Sequence, residues 1–168
     1  MELVERTQQL HGKKPNMRLA PLALAAVFAL SACAPDPLLG TFNFNMTGTD
    51  TETAPRNMST STTGNGTFSV TTGKAVDYLV TLAQVDTSPC VLDADRNDKG
   101  DAIVITAGQK CTFAYAGGTA TATLTSGSIS ASEKGETASV NVSYTYAGSV
   151  IGINYAGTGT RTYAGSRR

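Results

Sequence analysis

From Thr137 to Tyr146 every second side chain is apolar: Ala138, Val140, Val142, Tyr144 and Tyr146 alternate with Thr137, Ser139, Asn141, Ser143 and Thr145. A period of two sends successive side chains to opposite faces of an extended chain, so this stretch covers its apolar residues as a strand with one face buried. A lone strand is unstable in water, and its neighbours must come from the same chain. Gly148 turns it into a further strand, where Ile151, Ile153 and Tyr155 continue the apolar face. Gly157 and Gly159 then thin that face, and Arg161 falls on the same side of it.

The same period recurs upstream. Phe42, Phe44 and Met46 alternate with Thr41, Asn43, Asn45 and Thr47, Phe68 and Val70 mark a second strand, and Val76, Tyr78, Val80 and Leu82 a third after a Thr72-Gly73-Lys74 turn. Leu79 and Val85 lie on the opposite face of that strand, which suggests cover on both sides. A fourth strand runs from Cys90 to Asp93, and the Asn97-Asp98-Lys99-Gly100 turn leads to a fifth, Ala102 to Thr106. Cys111, Phe113 and Tyr115 give a sixth, and Gly117-Gly118 turns it into a seventh, Thr119 to Ser130, whose inward face is small and whose Gly127 suggests a bulge or bend. Thr49 to Gly66 loses the pattern and reads as a long loop.

About eight or nine short strands without helical periodicity predict an all-β antiparallel meander that forms a barrel-like or sandwich domain. Consecutive antiparallel strands would put Cys90 and Cys111 two strand spacings apart, about 9.6 Å and beyond disulfide reach, so a bridge between them would have to close around the tip of the fifth strand, where Gly108 lets the chain bend.

The N-terminal part has another character. Lys13, Lys14 and Arg18 precede an apolar run from Leu19 to Leu30, about a dozen residues, which suits a secretory signal helix and is short of the about 20 needed to cross a bilayer. The run ends in Leu30-Ser31-Ala32-Cys33, which resembles the lipobox of bacterial lipoproteins. That resemblance implies a cut before Cys33, a diacylglyceryl group on its sulfur and a fatty acyl chain such as palmitate on its new amino terminus. Ala34 stands where a retention aspartate would be, which implies the outer membrane as the site of the anchor, facing periplasm or cell surface. Residues 1–32 are thus expected to be a signal peptide, 33–39 a lipidated tether stiffened by Pro35 and Pro37, 40–164 one β domain and 165–168 a basic tail. Glu2 and Glu5 are foreign to a signal peptide, and Met17 followed by Arg18 gives the more economical start. Beyond the leader the threonine and glycine content resembles small all-β outer-membrane lipoproteins of unknown function.

From Cys33 onward the chain carries nine lysines and arginines against eleven acids, a net of −2 that offers no nucleic-acid footprint. With Cys33 committed to lipid, Cys90 and Cys111 are an even pair in an oxidising compartment, and a disulfide between them would contribute about 3 kcal/mol in the chain-entropy treatment. His11, the single histidine, leaves with the leader, so the usual hydrolytic partners are missing and no enzyme is expected. No cofactor is expected either.

Two patterns point to binding. Asp93, Asp95, Asn97, Asp98 and Asp101 place oxygen ligands at alternating spacing and make a weak calcium candidate, although Asp98 and Val104 stand where an EF-hand-type loop needs glycine and a bidentate acid. The same residues also suit an ordinary turn between strands. Tyr78, Tyr115, Tyr144, Tyr146 and Tyr155, with the phenylalanines, could line a lipocalin-like pocket for a small apolar ligand or fill the interior. A membrane-spanning barrel would turn the same apolar faces outward, with the threonines inside. The expectation carried forward is a lipid-anchored, non-catalytic envelope protein with a structural or interaction role, with the apolar-ligand carrier as the alternative.

Overall fold

A computed structural model describes residues 36–84, 89–99, 102–115 and 117–168; the expected signal segment 1–32, Cys33, Val85 and Asp101 lie outside them. The described residues form nine strands: β1 (Gly40–Ala54), β2 (Met58–Thr72), β3 (Tyr78–Gln84), β4 (Cys90–Arg96), β5 (Ile103–Ile105), β6 (Lys110–Tyr115), β7 (Gly118–Ala131), β8 (Thr137–Val150) and β9 (Ile153–Arg167). All join one antiparallel sheet of order β5-β4-β3-β2-β1-β9-β8-β7-β6. A further pairing of β5 with β7 closes eight of them into a barrel-like ring. The all-β meander is therefore present.

β5 and β6 are the exception to the meander. Both pair antiparallel to β7, β5 through Ile103↔Ile129 and β6 from Lys110↔Thr123 to Tyr115↔Gly118, so they run in the same direction and act as one interrupted strand. The stretch 106–109 interrupts this line without reversing it. Cys111 consequently lies one strand away from Cys90, with Cα atoms 5.6 Å apart, and the expected detour around a strand tip is not needed. The Gln109 side chain fills the interruption: its Oε1 accepts the Asp93 N–H at 2.7 Å, and its Nε2 donates to the Asp93 and Thr106 carbonyls, both at 2.9 Å. A side-chain amide here supplies both a donor and an acceptor, as a peptide group would.

Five further expectations are corrected. Thr49 to Gly66 is not a loop, because β1 and β2 pair without a break from Gly40↔Val70 to Glu52↔Met58. Residues 165–167 are not a tail: they end β9, with Arg167 opposite Phe42, so the β domain reaches beyond 164. Residues 36–39, expected in the tether, belong with the β domain. Asp36 accepts a hydrogen bond from the Tyr78 hydroxyl at 2.5 Å and pairs with Arg96 at 3.0 Å, and Leu38 is buried. Arg167 donates to the carbonyls of Pro37, Leu39 and Gly135 at 2.6–2.8 Å, strapping residues 36–39 across this end of the ring. The register irregularity in β7 falls between Leu124 and Ser126 instead of at Gly127. Leu79 is only half-buried, so β3 has one covered face.

The interior takes the apolar half of each alternation. Phe42 stacks on Phe68 with ring centroids 4.9 Å apart, and Tyr163 meets Phe44 edge-on, also at 4.9 Å. Val70, Val80, Leu92, Ile105 and Val140 complete a core whose members are all but inaccessible. Outside, β1, β2, β7, β8 and β9 present threonine, serine, asparagine and alanine, joined in places by cross-strand bonds such as Thr162 Oγ1 to Asn141 Oδ1 at 2.8 Å. Hydroxyls outside and aromatics inside are the inverse of a membrane-spanning barrel.

Candidate functional site

β1, β8 and β9 bring a polar cluster into this apolar interior. Asp50, Glu52 and Arg161 are the buried charged residues among those described, exposed by 6%, 5% and 8%. Asp50 sits on the inward side of β1 two positions beyond Gly48, and register places it opposite Gly159 of β9. Its Oδ2 takes a 2.6 Å hydrogen-bonded ion pair from Arg161 Nη2 and a 3.2 Å bond from the Thr62 hydroxyl. Its Oδ1 accepts the Tyr144 hydroxyl at 2.7 Å. Arg161 also donates to its neighbour's carbonyl, Thr160, at 2.9 Å and lies 5.4 Å from the centroid of the Tyr144 ring.

Electrostatics follow from this packing. Burial opposes a charged Arg161, yet the bond to Asp50 and the surrounding negative groups outweigh it and raise its pKa. Burial, with a smaller contribution from Asp50, pushes the Tyr144 hydroxyl far above the ordinary tyrosine value, so it serves as a fixed neutral donor. Charge, hydroxyl and ring thus satisfy one another. A buried cation neutralised in this way lacks the free valence that a substrate carboxylate or phosphate would use.

The glycines of β9 explain how two tyrosines fit. Gly159 pairs with Tyr144 and Gly157 with Tyr146, and a Cβ at either glycine would come within 2.5–2.7 Å of the facing ring. The glycines that thin the apolar face in the sequence are the seats of the β8 tyrosines.

Below this cluster lies an apolar slot of about 90 Å³, lined by Leu82, Leu92, Phe113, Leu124, Tyr144 and the Cys90–Cys111 pair, among others. Small-molecule sites occupy about 300 Å³ or more, so the slot suits a methyl-sized or single-ring group. Recesses of about 300–750 Å³ do exist, but they are lined by Thr, Ser and Asn of the outer wall and open to solvent.

Of the five candidate tyrosines, the four whose side chains are described do not converge. Tyr144 and Tyr146 are neighbours in the interior, with Phe113 edge-on to both at 6.2 and 5.9 Å. Tyr78 lies at the strapped end, bonded to Asp36 and Arg96, where burial and Asp36 raise its hydroxyl pKa. Tyr155 is half-buried near the start of β9, and the side chain of Tyr115 lies outside the described set. Tyr163, outside that set of five, is buried against Phe44; its signal in the sequence is the continued alternation Arg161, Tyr163, Gly165.

The acidic turn disperses in the same way. Asp93 and Asp95 lie two residues apart on β4, and Asp95 Oδ1 accepts the Asp77 N–H at 2.8 Å. Asn97 closes the turn through its backbone N–H to the Ala102 carbonyl at 2.8 Å, with Asp98 following it and Asp101 outside the described residues. Among the described residues no three His, Cys, Asp or Glu side chains gather closely enough to hold a metal ion. Asp93 and Asp95 alternate on extended backbone, which sets them about 7 Å apart. Comparison with protein-family models, curated proteins and solved structures finds no match to this chain.

Proposed function

We propose that the protein is a lipid-anchored component of the bacterial envelope, held in the outer membrane through Cys33, whose β domain has a non-catalytic structural or interaction role. The leader carries the first half of this reading, through the basic flank, the apolar run and Leu30-Ser31-Ala32-Cys33. Labelling cells with an alkynyl palmitate tests the anchor. The native chain should take the label and Cys33→Ser should not.

The filled interior supports the second half. A slot of about 90 Å³ beside an internally neutralised ion pair favours a packed scaffold over a carrier. The alternative, a binder of a small apolar ligand, draws on the apolar lining of that same slot. Titration with fluorescent fatty acids separates the two, and saturable binding displaced by mutating Phe113 would establish the carrier.

A further inference from the structure

Strand edges expose unpaired N–H and C=O groups, and proteins usually guard long ones with lysine, proline, a bulge or a covering loop. β2 has such an edge. β3 pairs with β2 only from Gly66↔Gln84 to Thr72↔Tyr78, whereas β1 follows β2 to Met58. From Met58 to Asn65, therefore, β1 is the only strand partner of β2 among the described residues. This stretch is Met-Ser-Thr-Ser-Thr-Thr-Gly-Asn, without charge and without proline. Its register with β1 carries no bulge, and nearly all of its residues are exposed on both faces.

We propose that the Met58–Asn65 edge pairs antiparallel with the same edge of a second copy of this chain, joining two rings through one continuous sheet. Self-pairing of a strand opposes its residues to themselves, which a charged edge resists through like-charge contacts. This edge meets no such resistance. A two-fold axis through Ser61 keeps outward residues on one side and sets Ser61 against Ser61, Thr60 against Thr62 and Ser59 against Thr63. Those are hydroxyl pairs of the kind already formed within the ring by Thr51 Oγ1 and Ser59 Oγ at 3.0 Å. The segment is about 27 Å long at about 3.4 Å per residue, a narrow strip beside the about 800 Å² per partner of a standard interface, so the dimer forms reversibly with concentration. An acidic or basic peptide lacks this match, since the edge offers it no countercharge.

The test is sedimentation velocity of the full chain in detergent over a concentration series, together with oxidative cross-linking of Ser61→Cys. The native chain should pass from monomer to dimer, and the dimer boundary should be lost in Ser61→Lys and in Thr63→Lys while their melting curves are unchanged. Ser61→Cys should give a disulfide-linked dimer on a non-reducing gel, because facing Cα atoms about 4.5–5.5 Å apart are within disulfide range. Thr67→Cys, flanked by β1 and β3, should give none above the native background, which also accounts for Cys33. A chain that stays monomeric throughout overturns the proposal. So does a dimer that both lysine variants leave intact and that Ser61→Cys does not capture. If a lysine variant fails to fold, the cross-linking comparison decides alone.

Discussion

Replacing Arg161 with methionine probes the centre of the structure. The substitution keeps an unbranched chain in the space beside Tyr144 but removes the 2.6 Å bond to Asp50, leaving a carboxylate that is 6% exposed. Breaking a buried pair from one side costs about 3–5 kcal/mol, because the remaining charge is desolvated without compensation. Asp50 still receives the hydroxyls of Tyr144 and Thr62, which places the expected loss at the lower end, about 3 kcal/mol. In a domain with a urea dependence of about 1.5 kcal/mol per molar, the midpoint should fall by about 2 M. Far-UV circular dichroism or tyrosine emission follows the transition, since the chain has no tryptophan.

The double variant Arg161→Met/Asp50→Asn makes the reasoning refutable. Asparagine keeps an acceptor for Tyr144 and removes the unpaired charge, so the double variant should be more stable than the single one by about 2 kcal/mol. A single variant within about 0.5 kcal/mol of the native chain, or a double variant no better than the single, would mean that Asp50 is solvated and that the ion pair does not hold this part of the ring together.

Gln109→Ala should cost about 2 kcal/mol and speed hydrogen exchange at the Asp93 amide, which loses its acceptor across the β5–β6 interruption. Cys90→Ala/Cys111→Ala, closing a loop with a separation of 21 residues, should lower the stability by about 3 kcal/mol in urea titrations. Ile151→Asn should raise the melting temperature, with a gain of about 1 kcal/mol, because Ile151 holds φ at +51°, is 97% exposed, and asparagine tolerates that conformation. Acid should loosen the strapped end first. Burial would raise the pKa of Asp36, but its bonds from Tyr78 and the Leu38 N–H, and the charge of Arg96, hold it below 3.8. A depressed carboxylate contributes stability that is complete above its unfolded value and is lost as pH falls through the folded one, so amide exchange at Leu38 should rise as the pH drops below about 4.

Where the ring is closed and apolar inside, the sequence was readable. Val140, Val142 and Tyr144 alternate with serines and asparagine because one face meets a packed core and the other meets water. The far half of the β1–β2 hairpin obeys the same geometry without showing it. Asp50 and Glu52 face inward from β1, and Thr60 and Thr62 occupy the corresponding side of β2, so both faces are polar and the period vanishes from the hydropathy. Arg161 could be assigned to the inward face from its spacing, but its partner lay in a segment that read as a loop, and the ion pair was therefore invisible. The collinearity of β5 and β6 was hidden for a different reason. Gly108, with φ at +84°, looks like a reversal in sequence, while the local cue that the chain continues is one glutamine side chain spanning the interruption.

Two polar clusters hold the apolar interior, and their chemistry bears on what the domain can do. At the end where β1 begins, Leu38 enters the core beneath a strap fastened by Arg167 and by the Asp36–Tyr78–Arg96 cluster. Further along β1, the Asp50–Arg161–Tyr144 cluster sets a neutralised charge within the core, and Gly157 and Gly159 let the Tyr146 and Tyr144 rings close against β9. Loosening the strap would expose Leu38, and breaking the inner cluster would uncover a charge. Neither gives way at low cost, so a molecule larger than the 90 Å³ slot would have to displace core side chains in order to enter. Among the described residues, the surfaces left for recognition include the hydroxyl wall and the Met58–Asn65 edge of β2, which offers a row of backbone groups without a strand partner in a fixed direction.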